Sequence, residues 1–163
     1  MIFRFKVTSM ERADFLRELD IQGEQTLYDL HMCIQNDLDY DDSQPVVFYT
    51  ADSSWKRGQA YSLFGQGGSE LMDEVSLGSL VRAKHHRLIY KFDVHNGRTF
   101  RLELLSMEEP SPRVKYPCVG TTKGEPPMQI GDANSTFSSL FDQAMPDFDA
   151  DMYASSAPGS GED

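Results

Sequence analysis

The stretch LIYKFDVHNGRTFRLELL, residues 88–105, decides the fold class. Leu88, Tyr90 and Phe92 alternate with Ile89, Lys91 and Asp93, the period-two pattern of a strand with one face in a core. A second alternating run, Phe100 to Leu104, follows a short break. Between the two stands Val94-His95-Asn96-Gly97. Asn and Gly both tolerate positive φ, so a hairpin turn centred on Asn96-Gly97 is expected. The pair is therefore antiparallel, and it frames the remaining elements.

Working outward, MIFRFKV places Phe3, Phe5 and Val7 on one face and Arg4 and Lys6 on the other. ADFLRELDI, with Phe15, Leu19 and Ile21 in phase, reads as a second strand. VVFYTA (46–51) is a third, and Trp55 with AYSLF (60–64) predicts an extended segment after it. TLYDLHMCIQNDL (26–38) is a helix. Thr26 is placed to cap it, and Asp29 stands three residues on, where a carboxylate meets free backbone amides. Leu27, Leu30, Ile34 and Leu38 recur at helical spacing and should face the sheet. His31 lies one position off that stripe and is expected to matter little for folding. SLGSLV (76–81) predicts a short helix capped by Ser76. GQGGSE (65–70) reads as a flexible turn, because the strand, helix and lysine of a phosphate loop are missing. The fold class is α+β: a mostly antiparallel sheet with one main helix and one short helix.

Alternation weakens after Ser106. The segment from Glu108 to Asp132 is rich in Pro and Gly and is expected to wrap the body as an ordered loop. We place the domain at residues 1–131 and an acidic, largely disordered tail at 132–163. The tail holds seven acids and no Lys or Arg, which leaves 19 acids against 15 bases before it. Much of the net charge of −11 is thus a tail property. Within the tail, Phe137, Leu140, Phe141 and Met145 fall at helical spacing before Pro146. A short amphipathic helix there needs a surface to dock on, either a protein partner or its own domain. Cys33 and Cys118 make no disulfide framework. The charges at Arg4 and Lys6 interrupt any apolar leader, and no run is long enough to span a bilayer. A cytoplasmic protein without membrane contact is expected.

Three segments taken in order, TLYDLHMCIQNDLDYDD, LIYKFD with FRLELL, and YPCVGTTKGEPP, resemble the plasmid Ri open-reading-frame-three-like family, which includes insertion-element passenger proteins of TnpR type. Tyr40, Asp41 and Asp42 match its aromatic-acid block, although Gln44-Pro45 stands where a His-Leu pair is usual. Tyr90, Phe92 and Asp93 match the second block, where His95-Asn96 replaces Gly-Asp and Arg98 replaces Trp. Pro117, Cys118, Gly120, Pro126 and Pro127 match the third, and Met128 replaces an acid. The resemblance covers most of residues 1–131. It implies an α+β domain with a curved sheet and few helices, and it implies no reaction.

Four sets of residues are candidates for chemistry. Arg82, Arg87, Lys91, Arg98 and Arg101 can form a stripe that suits phosphates, which would make a nucleic-acid-binding accessory protein; the plain alternative is a hydrated sheet face. Cys118 with a nearby histidine would make a cryptic hydrolase; the plain alternative is a packed loop thiol. His85, His86, His95 and Cys118 lack the tight spacing of a zinc site, so no metal is expected. DLDYDD (37–42) imitates a calcium loop, but Asp42 and Phe48 occupy the positions that need Gly and Glu. No cofactor is expected. The leading expectation is a non-enzymatic interaction module with a protein partner.

Overall fold

Residues 1–130 are described by the structure, a computed structural model. The tail positions Phe137, Leu140, Phe141 and Met145 lie outside them. Along the described residues run β1 (Ile2–Ser9), β2 (Leu16–Gln22), α1 (Leu27–Leu38), β3 (Val47–Ala51), β4 (Arg57–Ser62), β5 (Glu70–Leu71), α2 (Leu77–Arg82), β6 (Arg87–Asp93), β7 (Arg98–Glu108) and β8 (Cys118–Lys123). The strands form one sheet in the order β5-β4-β3-β6-β7-β1-β2-β8. Every pairing is antiparallel except β4 with β5. The α+β class read from the sequence is the class observed.

The register carries the alternation into space. Phe5 stands opposite Leu19 and Leu104, and Tyr90 opposite Phe48 and Phe100. These side chains form a single core with Leu27, Leu30, Ile34 and Leu38 of α1 and Leu77, Leu80 and Val81 of α2. Both helices therefore cover the same sheet face. Thr26 and Asp29 make the reciprocal cap: Thr26 Oγ1 accepts from the Asp29 amide and the Asp29 carboxylate accepts from the Thr26 amide. Asp39 ends α1 in the left-handed region. No helix among the described residues is long and apolar enough to cross a membrane.

Three expectations need correction. The β6–β7 connection is the four residues Val94 to Gly97 that the sequence placed there, but they do not make a turn with both Asn96 and Gly97 at positive φ. Gly97 has φ 68, but Asn96 is not among the residues with positive φ. The Asp93 carboxylate holds the loop instead, accepting from the Asn96 amide at 3.1 Å and from Asn96 Nδ2 at 2.9 Å. Second, the segment after Ser106 is not all loop. The β7 strand runs on to Glu108, and β8 pairs with β2 along the sheet edge. Arg17 fixes that edge: its Nη1 donates to the carbonyls of Leu16, Lys123 and Gly124, and its Nε donates to Asp37 on α1 at 3.0 Å. Third, His31 is only 1% exposed and belongs to the core.

Two glycines in the left-handed region differ in a way that mutation can read. Gly97 (φ 68) has nothing within 4 Å of where a Cβ would stand. At Gly124 (φ 68) a Cβ would sit 2.5 Å from the Asp14 carbonyl oxygen. We expect Gly97→Ala to cost about 1 kcal/mol from backbone strain, and Gly97→Val more. Gly124→Ala should cost more than Gly97→Ala, because it adds a backbone clash. Urea melts of the variants check the ranking, and equal costs would contradict it.

Candidate functional site

The sheet face opposite the described helices places aromatic rings among cations. Tyr49 on β3 points away from the core, opposite in phase to Phe48. Arg57 lies 4.8 Å from its ring centre and Lys91 Nζ lies 5.2 Å away, also donating to the Tyr49 hydroxyl at 3.2 Å. Trp55, in the β3–β4 loop, has φ 64. The guanidinium groups of Arg87 and Arg101 lie 4.9 and 4.8 Å from its ring. Arg87 is further held by the Ser53 carbonyl and by Glu103 at 3.2 Å. Among the described residues no carboxylate pairs with Arg57, Lys91 or Arg101. Cations over aromatic faces are oriented while keeping hydrogen-bond donors for a ligand. Around the edge of this patch, Lys56, Lys84 and His85 line a shallow cavity with Arg57 and Asp52.

The five-residue stripe read from the sequence is thus divided. Arg87, Lys91 and Arg101 share the open face. Arg98 is 9% exposed and ion-paired, with Glu11 at 2.8 Å and Asp93 at 3.4 Å, over the Phe92 ring. Burial alone would lower its pKa, but the two carboxylates outweigh it and raise it. Arg82 ends α2, on the helical side. Toward β1 and β2 the open face changes character. There Arg4 is paired with Asp20 and Glu108, and Lys6 with Glu103. The sequence reading missed Tyr49, Trp55 and Arg57. The phase of Tyr49 in VVFYTA was a legible signal; nothing local marks Trp55.

The groove between α1 and β8 gathers both cysteines. Cys33, Cys118, Asp29, Asp37, Asn36 and Pro117 line it, and no histidine does. Burial pushes the Cys33 thiol up to about 12, with the Asp37 charge adding to the rise. Burial raises Cys118 as well, with Asp20 adding and Arg4 opposing. A nucleophilic thiol needs the opposite shift and a base within reach. The remaining family-matched positions connect distant segments. The Tyr40 hydroxyl donates to the Pro127 carbonyl, and its ring packs against Phe92 and Phe100. Asp41 accepts from the Ser43 amide and hydroxyl, while Asp42 stands exposed beside α1. Pro126 is half-buried, and Gly120 lies on β8 with room for a Cβ.

The third arrangement lies in the core. Gln35 Nε2 donates to the Tyr90 hydroxyl at 2.7 Å, and that hydroxyl lies 2.6 Å from His31 Nδ1. Of the two partners of the hydroxyl, Gln35 donates to it and Nδ1 alone can accept its proton. The pattern assigns His31 as the neutral tautomer with its proton on Nε2. Burial pushes the imidazole pKa down to about 4, although the Asp42 charge opposes the fall. Burial raises Tyr90 strongly, which keeps its proton in place.

The family model of plasmid pRiA4b ORF-3-like protein matches residues 1–151. A crystal structure of a protein of unknown function from Methanosarcina mazei Go1 superposes with a TM-score of 0.70 at 14% identity. The match covers 94% of this chain and 85% of that one, and it is a likeness of fold. No curated protein matches the chain.

Two outcomes follow from the buried triad. Tyr90→Phe should destabilise by about 1–3 kcal/mol, since it strands His31 Nδ1 and the Gln35 amide in the core. The folded His31 pKa lies below the ordinary 6.5, so the unfolded chain takes up a proton first. Its stabilising contribution is complete above that value and is lost as pH falls toward about 4. Between those limits stability should drop by on the order of 1 kcal/mol per pH unit, and His31→Gln should flatten that part of the profile. Urea melts across this range measure both.

Proposed function

The chain belongs to the plasmid pRiA4b ORF-3-like family, and on that premise we propose that it is a non-enzymatic interaction module whose open sheet face takes an acidic segment of a protein partner. One observation carries the reading: Arg57, Lys91 and Arg101 are oriented on Tyr49 and Trp55, and among the described residues none of the three has a carboxylate partner. Structural cations in this protein look different. Arg4, Arg17 and Arg98 each hold an acid within 3.0 Å. Unpaired cations held in place by rings lose little entropy when an anion arrives, and they do not first have to release an internal partner.

A nucleic acid is the second reading, favoured by the same cations and by aromatic rings on an open sheet. Against it stand the neighbouring acids Glu103, Asp20 and Glu108, which end the basic patch within the same face. A net charge of −11 also opposes the approach of a polyanion, whereas a short acidic peptide meets only the local field.

Fluorescence anisotropy separates the readings. The full chain would be titrated into a labelled Glu- and Asp-rich peptide containing one aromatic residue, and into a single-stranded oligonucleotide of about 12 nucleotides, roughly one single-strand site. We expect peptide binding that weakens about tenfold in Lys91→Glu and in Arg101→Glu, as for loss of one charge-assisted contact. Tighter binding of the oligonucleotide, with a steep fall in salt, would establish the second reading. Binding of neither would remove the open face as a site.

A further inference from the structure

Away from the open face, a cavity of about 470 Å³ lies between α1 and the segment that carries Phe64 and Met72. That volume is in the range of small-molecule sites. Its lining divides into three parts. Tyr28 and Phe64 supply aromatic walls, and Phe64 is 82% exposed, an uncommon position for a phenylalanine in a chain with a well-filled core. Asp42 and Asp73 supply exposed carboxylates, and no Lys or Arg lines the cavity.

The third part is His31. Its ring is 1% exposed, yet it belongs to the lining. Nδ1 is occupied by Tyr90. Among the described residues Nε2 has no partner, and it is not sealed off either, since the sealed, unpartnered side-chain polar atom there is Gln35 Oε1. A buried ring with one nitrogen bonded inside the core and the other open can open only into the space it lines. Nε2–H is therefore a fixed donor in the floor of the cavity, its tautomer set by Tyr90 and Gln35 behind it. A donor held in one orientation in the floor of a cavity is preorganised for a ligand oxygen.

We propose that this cavity binds a small amphipathic organic cation, an aromatic body with an acceptor oxygen at one end and a protonated amine at the other. The oxygen accepts from His31 Nε2–H, the ring lies between Tyr28 and Phe64, and the amine sits at Asp42 and Asp73. An anionic ligand of the same shape would meet two carboxylates and no cation. The site is separate from the open-face patch and stands or falls independently of it.

Isothermal titration of the full chain with three probes tests this. Tyramine carries all three features, phenethylamine lacks the oxygen, and 3-(4-hydroxyphenyl)propionate reverses the charge. We expect tyramine to bind, phenethylamine to bind about tenfold more weakly, and the propionate to bind more weakly still. Because substitution of His31 disturbs the core, the decisive variant is the exposed pair Asp42→Asn with Asp73→Asn. It should weaken tyramine about tenfold or more while leaving the urea melt unchanged. The proposal is overturned if tyramine gives no heat at millimolar concentration, if it binds no better than the propionate, or if the double variant binds it as well as the parent does.

Discussion

A wide sheet whose described helices both lie on one side is the constraint on which this molecule depends. Eight strands at normal spacing span roughly 34 Å, whereas the twelve residues of α1 make a rod roughly 18 Å long and 10 Å wide. The helix covers the middle of one face, α2 extends the cover, and no described helix lies on the other face. One core then has to hold both helices in place, which explains its concentration of rings: Phe5, Phe15, Phe48, Tyr90, Phe92 and Phe100 are all sealed. The exposed face needs side chains that tolerate water without inviting another sheet to stack on it. Paired charges on β1 and β2, and cations of β4 and β6 laid over the Tyr49 ring on β3, are two solutions to that one requirement.

Where local pattern and tertiary context agree, the fold is legible in the residues alone. The alternations at Phe3–Val7 and Leu88–Phe92 and the cap at Thr26 are such places. The misses have specific causes. His31 lies off the apolar stripe of α1, and only Tyr90, 59 residues away, makes its burial tolerable. Arg98 looks like part of a basic run until Glu11, from the far end of the chain, is brought to it. The β8 strand escapes notice because edge strands bury little, so Cys118–Lys123 has no alternation to display; its β-branched Val119, Thr121 and Thr122 were the available hint. In each case the deciding partner is remote in sequence.

The same point changes the meaning of the motifs that mark the family. Tyr40 reaches Pro127, Asp93 reaches Arg98, and Tyr90 reaches His31. These matched residues act as ties between segments. The rings and cations of the open face, and the acids and phenylalanine around the His31 cavity, fall mostly outside the matched blocks. Resemblance therefore identifies the frame, and the surfaces that frame presents have to be read from their own chemistry.

The strand order has a consequence for synthesis. The β1 strand lies between β2 and β7, and β7 begins at Arg98, almost ninety residues after β1 ends. On the ribosome the β1–β2 hairpin is complete long before either of its outer neighbours exists, since β8 comes later still. For most of translation this hairpin presents two bare edges and an unburied row of Phe3, Phe5 and Leu19. Such a species is exposed to chaperones and to pairing with sister chains. The alternating Arg4 and Lys6 of β1 and Arg17, Glu18 and Asp20 of β2 set charge against such pairing, so residues that form ion pairs in the finished sheet have an earlier use while the hairpin waits for its second half.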